Sequence, residues 1–189
     1  MLQITIVDYG SGNVLSAQKS FIKVSNDNNT ESKVLISNDL NEIKKSTHVV
    51  LPGQGAFATC MSGIKKKSGL IDELYEFAII KKKPFLGICI GMQMLASYSE
   101  ENGIHEGLDW IEGRIKPLPS NNQKMPHMGW NSVNPSKKND LVESNEDFYF
   151  VHSYYFDCKN NQNILAETQY GINFASIVGK ENIYGVQFH

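Results

Sequence analysis

The sequence has few cysteines, and their spacing forms no pair. Cys60, Cys89 and Cys158 are odd in number, lie far apart along the 189 residues and contain no CxxC motif. This spacing argues against a zinc site and against a disulfide framework. Unpaired thiols fit a reducing compartment. The cysteines therefore predict a protein without a structural metal, and no other cofactor is expected.

Long apolar runs and a strong excess of one charge are also lacking. No apolar run approaches the roughly 18 residues of a membrane span, and the opening run at 2–7 is too short and too uncharged at its start for a signal peptide. The formal net charge is -2, which argues against a nucleic-acid surface. We interpret the lysine runs at 65–67 and 81–83 as favourable charge at helix C-termini. We expect a soluble, cytoplasmic protein that binds neither nucleic acid nor membrane.

Short apolar runs alternate with amphipathic stretches in the first half. Runs at 3–7, 33–36, 49–51 and 85–88 predict strands, and helical spacings cover 14–24, 39–45 and 70–78. Such alternation predicts a parallel sheet with helices on both faces. Beyond about residue 105, β-like runs at 147–152, 164–168, 175–178 and 183–188 replace the helices, and the polar stretches 26–32 and 134–145 resemble surface loops. The expected fold is α/β: one domain over 1–189 with a three-layer open sheet, mostly parallel in the first half with added antiparallel strands in the second.

The segment around Cys89 is the strongest indication of chemistry. An apolar strand runs directly into Cys89, Gly87 and Gly91 stand two residues to either side, and a helical pattern follows. This is the cysteine counterpart of the G-x-S-x-G nucleophile elbow, where a tight turn leaves no room for neighbouring side chains. A helix N-terminus at this point should lower the pKa of the thiol and offer the N–H of Ile90 to an oxyanion. The alternative is a buried structural cysteine, against which the glycines argue.

A second glycine-containing turn follows the strand at 49–51. The sequence Pro52–Gly53–Gln54–Gly55 ends that strand and opens a helix, so its backbone amides should face the same edge of the sheet as Cys89. This turn is a candidate second oxyanion donor. Its spacing is not GxGxxG, which argues against a nucleotide phosphate loop.

Nucleophilic cysteine chemistry needs a histidine within hydrogen-bonding reach. Of the five histidines, His152 and His189 each stand at the end of an apolar run. The residues alone do not choose between them without the order of the strands. The residues indicate a cysteine hydrolase or transferase, and they do not identify its substrate.

The motifs of the chain resemble, in order, those of the class I (triad) glutamine amidotransferases, and within them the glutaminase subunits of imidazole glycerol phosphate synthases. The matching segments are Asp8–Tyr9–Gly10–Ser11–Gly12–Asn13, Pro52–Gly53–x–Gly55–x–Phe57, Gly87–Ile88–Cys89–x–Gly91–Met92–Gln93, Pro126–His127–Met128–Gly129–Trp130–Asn131, Phe150–Val151–His152–Ser153–Tyr154 and Gly185–Val186–Gln187–Phe188–His189. The resemblance covers essentially the whole chain. The elbow is shared across the superfamily, whereas the first and fourth segments are much more specific to this subunit.

The resemblance implies roles for individual residues. Cys89 would attack the side-chain amide of glutamine, and His189 would move the proton. Backbone N–H groups of Ile90 and of the Gly53–Gln54 turn would hold the oxyanion. The residues implied to grip glutamine are Gly55, Gln93, Ser153 and Tyr154.

The resemblance also implies a partner. The family passes its ammonia to a separate (β/α)8 cyclase subunit in histidine biosynthesis, and a barrel of about 250 residues does not fit within this chain. Asn13, Gln54 and Trp130 would face that partner, with core packing as the alternative for Trp130. Two departures stand out: Gln54 replaces the family's usual valine, and the family continues past the histidine as His–Pro–Glu, whereas the sequence stops at His189. We expect the given sequence to be incomplete there and a truncated chain to have weak activity.

Three other hypotheses remain open from the sequence. The chain could supply ammonia to a different acceptor, such as an amidinosugar pathway or a pyridoxal phosphate synthase. It could be a non-catalytic scaffold subunit, which the intact elbow argues against. It could be an unrelated cysteine peptidase, for which the sequence offers no peptide-groove signal.

Overall fold

The alternating segments of the sequence form a mixed sheet with helices packed on both faces. The computed structural model describes residues 1–120, 123–139 and 141–189. The strands of the first half are β1 (Leu2–Val7), β2 (Ser32–Ser37), β3 (His48–Gly53), β4 (Phe85–Cys89), β5 (Tyr98–Ser99) and β6 (His105–Glu106). Those of the second half are β7 (Gly113–Pro117), β8 (His127–Pro135), β9 (Glu146–His152), β10 (Tyr154–Cys158), β11 (Ile164–Tyr170), β12 (Ile172–Lys180) and β13 (Ile183–Val186).

The helices lie mostly in the first half, as the periodicity predicts. They are α1 (Val14–Asp27), α2 (Leu40–Lys45), α3 (Phe57–Lys65), α4 (Leu70–Tyr75) and the single turn α5 (Ile90–Gln93). A π-helical turn at Glu76–Ile80 continues α4, and a 3-10 turn at Asn161–Asn163 precedes β11. Local chemistry fixes two of the starts: the Asn13 side chain accepts from the N–H of Ser16, and that of Asp39 accepts from the N–H of Asn41. Among the described residues, no helix combines the length and the apolar character that crossing a membrane requires.

The strand order confirms the expected fold class. The sheet runs β2-β1-β3-β4-β13-β12-β10-β7-β5-β6, with parallel pairing from β2 through β13. Beyond β13 the pairs of β12 with β13, β10 and β11 are antiparallel, and β11 leads on to β8 and β9. The last strand of the parallel half is therefore β13, which comes from the far end of the chain.

Apolar side chains from both faces of the sheet form the core. On one face α1 packs Val14, Ala17 and Phe21 toward β1 and β3. On the other face the helices α2 to α4 bury a second set: Ile43, Ile64, Leu70 and Leu74. Helices on both faces of the parallel half are the three-layer arrangement that the sequence predicts.

The second half differs in detail from the prediction. The strands β7 and β8 carry few β-branched residues, and no apolar run marks them in the sequence. Val133 of β8 and Phe150 of its partner β9 join apolar residues of β11 to β13 in a separate core cluster, whereas Ile115 of β7 and Phe156 of β10 belong to the main core cluster. Tertiary packing thus outweighs local propensity in these strands. The predicted loop at 134–145 begins two residues late, because β8 extends to Pro135, and Asp140 lies outside the described residues.

The lysine runs lie near helix ends, with differing contacts. Lys65 is in the last turn of α3, as predicted. Lys82 instead pairs with Glu181 at 2.8 Å. Lys83 donates to the carbonyl oxygen of Ser46 at 2.8 Å, just past the end of α2. Within the second run, Lys83 therefore stabilises the end of a neighbouring helix through direct bonds to carbonyl groups.

Candidate active site

Cys89 stands on a strained turn between β4 and α5. Its φ of +56° and ψ of -112° lie outside the regions that non-glycine residues favour. A Cβ added to Gly87 would lie 2.5 Å from the Gly91 carbonyl oxygen, and one added to Gly91 would lie 1.8 Å from the Leu51 carbonyl oxygen. The two glycines are thus required by close backbone approach, which confirms the steric reason for expecting an elbow here.

The expected low pKa of Cys89 is not found. The side chain is only 4% exposed, and burial raises the pKa of the thiol to about 12. The N–H of Ile90 and the side-chain amide of Gln187 act in the opposite direction and are outweighed. A helix of one turn offers too little positive potential to overcome the cost of desolvating a thiolate. In this state Cys89 is a protonated thiol at neutral pH.

The glycine turn after β3 lies directly beside Cys89. Gly53 is paired with Cys89 in the β3–β4 ladder, and a Cβ on Gly53 would lie 2.6 Å from the N atom of Gly91. Gly55 follows with a φ of +92°. Turn and elbow therefore meet at one edge of the sheet, as expected from two strand-to-helix turns in neighbouring parallel strands.

The opening motif of the chain holds this turn in place, a role that sequence reasoning did not assign. The Tyr9 hydroxyl donates to the Pro52 carbonyl oxygen at 2.7 Å. The Ser11 hydroxyl donates to the Gln54 carbonyl oxygen at 2.8 Å, and the Cys60 thiol reaches the same oxygen at 3.4 Å. These bonds fix two peptide groups of the turn that flanks the nucleophile.

The two competing histidines line the same cavity but differ in how their rings are used. The Nδ1 atom of His152 bonds the carbonyl oxygen of Tyr154 at 2.8 Å, and its Nε2 atom bonds Nδ1 of His127 at 2.9 Å. Both ring nitrogens of His152 are therefore engaged within the protein. Within the described residues the ring of His189 makes no hydrogen bond, while its backbone N–H donates to the Tyr149 carbonyl oxygen at 2.9 Å. Partial burial lowers the pKa of His189, so its ring is neutral at pH 7.

A cavity of about 860 Å³ lies over the elbow. It is lined by all the residues that the sequence analysis assigned to catalysis, to the oxyanion and to glutamine: Cys89, His189, Ile90, Gly53, Gln54, Gly55, Gln93, Ser153 and Tyr154. Asn13 also lines it, at the start of α1. The structure thus brings together residues from five separate stretches of the chain.

Two polar groups in the cavity have the character of ligand-binding atoms. Glu101, which sequence reasoning missed, is the one carboxylate side chain among the described lining residues, and its Oε2 atom accepts the N–H of Phe57 at 2.7 Å. Gln93 is 1% exposed, and its Oε1 atom has no hydrogen-bond partner within the described chain. Buried polar atoms are rarely left unpaired unless a ligand completes them. The sequence around Glu101 carries no motif that could have indicated it.

Trp130 lies outside the cavity and is 73% exposed, which rules out the alternative of core packing. On the same side of the β8–β9 pair, Met128 stands opposite Val151, and Trp130 stands opposite Tyr149 with ring centroids 5.9 Å apart. Met128 is 60% exposed. These four side chains form an apolar stripe of a kind that marks protein interfaces. No group of three or more His, Cys, Asp or Glu side chains converges as a metal site within 1–120, 123–139 and 141–189.

Sequence and structure comparisons identify the relatives of this chain. The family model described as glutamine amidotransferase class-I matches residues 5–189. The chain is 42% identical to the imidazole glycerol phosphate synthase subunit HisH of Pelagibacter ubique, over 100% of this chain and 91% of that protein. It is 45% identical to the subunit HisH 2 of the same synthase in Methanococcus maripaludis, over 98% of this chain and 90% of that protein.

Solved structures show the same fold at lower identity. A glutamine amidotransferase from Thermotoga maritima is similar with a TM-score of 0.65 at 18% identity, covering 100% of this chain and 75% of that one. Another crystal structure of a glutamine amidotransferase is similar with a TM-score of 0.73 at 15% identity, covering 98% and 89%. Both share the arrangement of strands and helices described above.

Proposed function

Because this chain belongs to the class-I glutamine amidotransferase family, and within it to the HisH subunits of imidazole glycerol phosphate synthase, we propose that it hydrolyses glutamine and supplies ammonia for histidine biosynthesis. The observation that carries this function is the strained Cys89 elbow, which opens into one cavity with His189 and the Gly53–Gly55 turn. The relatives favour this acceptor over an amidinosugar or a pyridoxal phosphate pathway. The intact elbow and its cavity favour an enzyme over a scaffold subunit.

The chemistry begins with a proton transfer from Cys89 to His189. Burial keeps the thiol protonated and the imidazole neutral at pH 7, so the sulfur needs a base when glutamine arrives. The ring of His189 is available for this task, whereas both nitrogens of His152 are already bonded. The sulfur then attacks the side-chain amide carbon of glutamine, and the C–N bond breaks as His189 returns the proton to the leaving ammonia. Water, activated by His189, hydrolyses the remaining thioester to glutamate.

The oxyanion of each tetrahedral intermediate would be held by two backbone donors. One is the N–H of Ile90 at the start of α5, which already interacts with the Cys89 sulfur. The second is a backbone N–H of the Gly53–Gln54 turn, whose peptide groups are fixed by Tyr9 and by Ser11. Loss of one such donor typically lowers kcat by about 10²–10³. A backbone donor also tolerates Gln54 where the family usually has valine.

Glutamine itself would be gripped by groups on both sides of the elbow. The unpaired Oε1 atom of Gln93 is suited to accept an N–H of the substrate, and the Glu101 carboxylate is suited to the α-ammonium group. Ser153 and Tyr154 close the cavity from the β9–β10 turn, and Gly55 leaves space beside the sulfur. Because Glu101 is the one lining carboxylate among the described residues, it also favours a cationic group over an anionic one at that end.

We further propose that the ammonia passes to a cyclase subunit with a (β/α)8 barrel, in a cytoplasmic heterodimer. The apolar stripe around Trp130 and the exposed Asn13 at the cavity rim are the surfaces suited to that partner. Large aromatic side chains at the centre of such a surface commonly dominate binding.

The test is ammonia release from glutamine by the purified protein, alone and with a candidate cyclase subunit and its phosphorylated ligand. We expect slow release alone, stimulation by the liganded cyclase, and loss of release in Cys89→Ala. A protein that stays silent with the liganded partner would contradict the proposed acceptor or the enzymatic role. Release that persists in Cys89→Ala would contradict the assignment of the nucleophile.

A further inference from the structure

The Cys89 sulfur has a side-chain hydrogen-bond donor that the proposed mechanism does not yet use. The Nε2 atom of Gln187 lies 3.7 Å from Sγ, an ordinary distance for an N–H bond to sulfur. Gln187 follows β13 and is fully buried, and its backbone N–H donates to the Ser176 carbonyl oxygen at 2.9 Å. Its main chain is thus held independently of the side-chain amide.

Gln93 determines which end of the Gln187 amide faces the sulfur. The Nε2 atom of Gln93 donates to the Gln187 Oε1 atom at 2.9 Å and to the Tyr154 carbonyl oxygen at 3.1 Å. The Tyr154 carbonyl oxygen can only accept, so Gln93 must present its NH2 group on this side, and the Gln187 atom that faces that NH2 group must be the amide oxygen. The oxygen of Gln187 is consequently turned toward Gln93, and the NH2 group of Gln187 is turned toward Cys89.

A pair of buried histidines completes this chain of hydrogen bonds. The Tyr154 carbonyl oxygen also accepts from Nδ1–H of His152, so Nε2 of His152 is the unprotonated nitrogen and accepts from Nδ1–H of His127 at 2.9 Å. The Nε2 atom of His127 in turn accepts from the Asn131 amide at 3.1 Å. Each N–H group along this path has its own acceptor, and both imidazole rings are neutral.

We propose that Gln187 is a further catalytic residue, which donates a hydrogen bond to the Cys89 sulfur and stabilises the thiolate as His189 takes the proton. Gln93, His152 and His127 act as positioning residues for this donor. The inference rests on the proposed function, because it takes Cys89 as the nucleophile.

Gln187 can favour ionisation of Cys89 because the sulfur, its hydrogen-bond acceptor, changes from a thiol to a thiolate during the reaction. A neutral thiol is a weak acceptor, whereas a thiolate is a charged one, and hydrogen bonds to charged groups are about twice as strong. The Gln187 amide therefore stabilises the ionised form more than the resting form. Burial strengthens this difference, because water does not compete for the sulfur at 4% exposure.

Other groups around the sulfur do not supply the same effect. The titratable groups coupled electrostatically to Cys89 are Cys60 and Tyr9, whose ionised forms would be anionic and would oppose a thiolate. The titratable side chains that line the cavity with Cys89 are Glu101, Tyr149, His152, Tyr154 and His189. Of all these groups only the two histidines can become cationic, and the pKa of each is lowered. Gln187 is an uncharged donor, so it acts at every pH.

The experiment compares the wild-type protein with Gln187→Met, which keeps the length of the side chain and removes the donor. The rate of Cys89 alkylation by iodoacetamide is followed against pH, with peptide mass spectrometry separating Cys89 from the other two cysteines. Because the pKa of the thiol is already about 12, the readout is the alkylation rate at fixed pH values well below that pKa. We expect this rate to fall about tenfold, as a rise of about one unit in the pKa requires. With the liganded cyclase, kcat for glutamine should fall by about tenfold while KM stays within about twofold.

Further variants separate the donor from a general effect on the fold. Gln187→Glu removes the donor and adds an ionisable carboxyl group, so it should slow the alkylation of Cys89 further. Gln169→Met makes the same chemical change at an exposed position of β11 and should leave the profile unchanged. The ring of His127 stacks on that of Tyr170 with centroids 4.0 Å apart. His127→Phe keeps an aromatic ring there but removes the hydrogen bonds, and it should slow the alkylation of Cys89 by less than Gln187→Met does.

An alkylation profile of folded Gln187→Met that superimposes on the wild type overturns the inference. If that variant does not fold, an unchanged profile in His127→Phe overturns it instead. Failure of the proposed function is recognised separately, since it concerns glutamine turnover and its dependence on Cys89. Alkylation reports on the sulfur without any turnover.

Discussion

Lowering the pH should destabilise this protein through the buried pair of His127 and His152. His152 is 5% exposed, and burial lowers its pKa to about 4, with smaller contributions of the same sign from His127 and His189. The bond to the Tyr154 carbonyl oxygen acts in the opposite direction and is weaker. Protonating His152 also removes the lone pair that accepts the N–H of His127, so the pair cannot keep its hydrogen bonds in the charged state.

The sign and size of the effect follow from linkage. The pKa of His152 is about 4 in the folded protein and 6.5 for an ordinary histidine, so the unfolded chain binds the proton first as the pH falls. The contribution of His152 is fully present above pH 6.5 and is lost as the pH falls toward 4. The loss is about 3 kcal/mol between pH 7 and 4. Burial also lowers the pKa of His127, which adds a contribution of the same sign.

The assay is urea denaturation at several pH values between 7 and 4, with His152→Gln measured beside the wild type. The variant should be less stable at pH 7, because His127 loses its acceptor, and the gap in unfolding free energy should narrow by about 3 kcal/mol toward pH 4. The acid response of the carboxylates is common to both proteins and cancels. His105→Gln on β6 removes one imidazole elsewhere and tests whether losing any histidine changes the curve. A gap that stays constant within about 0.5 kcal/mol would refute the reasoning.

Three further substitutions test the elbow, the turn and the partner surface. Gly91→Ala should lower the unfolding free energy by more than about 3 kcal/mol in urea denaturation, because the added Cβ would lie 1.8 Å from the Leu51 carbonyl oxygen. Tyr9→Phe should cost about 1–2 kcal/mol in the same assay by leaving the Pro52 carbonyl oxygen without its donor, and it should slow ammonia release. Trp130→Ala should leave stability within about 0.5 kcal/mol, yet weaken binding to the cyclase by at least about tenfold in calorimetry.

The sequence was most informative where local chemistry alone determines structure. The alternation of apolar and amphipathic segments predicted β1 to β4 and the helices between them, because a buried parallel strand and a half-buried helix have distinct periodicities. The glycines beside Cys89 predicted an elbow, because close backbone approach permits no other residue. Such features depend on neighbours in the sequence and are readable from it.

What the sequence did not reveal depends on contacts between distant segments. The lowered pKa predicted for Cys89 was wrong. A helix N-terminus can be read from neighbouring residues in the sequence, whereas the burial that raises the pKa of the thiol depends on the whole fold. Glu101 belongs to no motif, and its carboxylate lines the cavity while it accepts the N–H of Phe57 from the start of α3, a contact between distant segments. The hydrogen bond that occupies the His152 ring likewise depends on His127, a residue of another strand, and cannot be read from the sequence.

The parallel pairing of β13 with β4 brings the residues that follow β13 beside Cys89. The two strands are parallel, with Val186 opposite Ile88, so the residues that follow, Gln187 and Cys89, emerge side by side at the same edge. A slip of one residue would turn Gln187 to the opposite face of the sheet and separate its amide from the sulfur. The site is therefore built by one strand register that joins the parallel half to the antiparallel half. Substitutions that loosen this register should displace Gln187 and the proposed base His189 from Cys89 together, even where the substituted residue contacts neither of them.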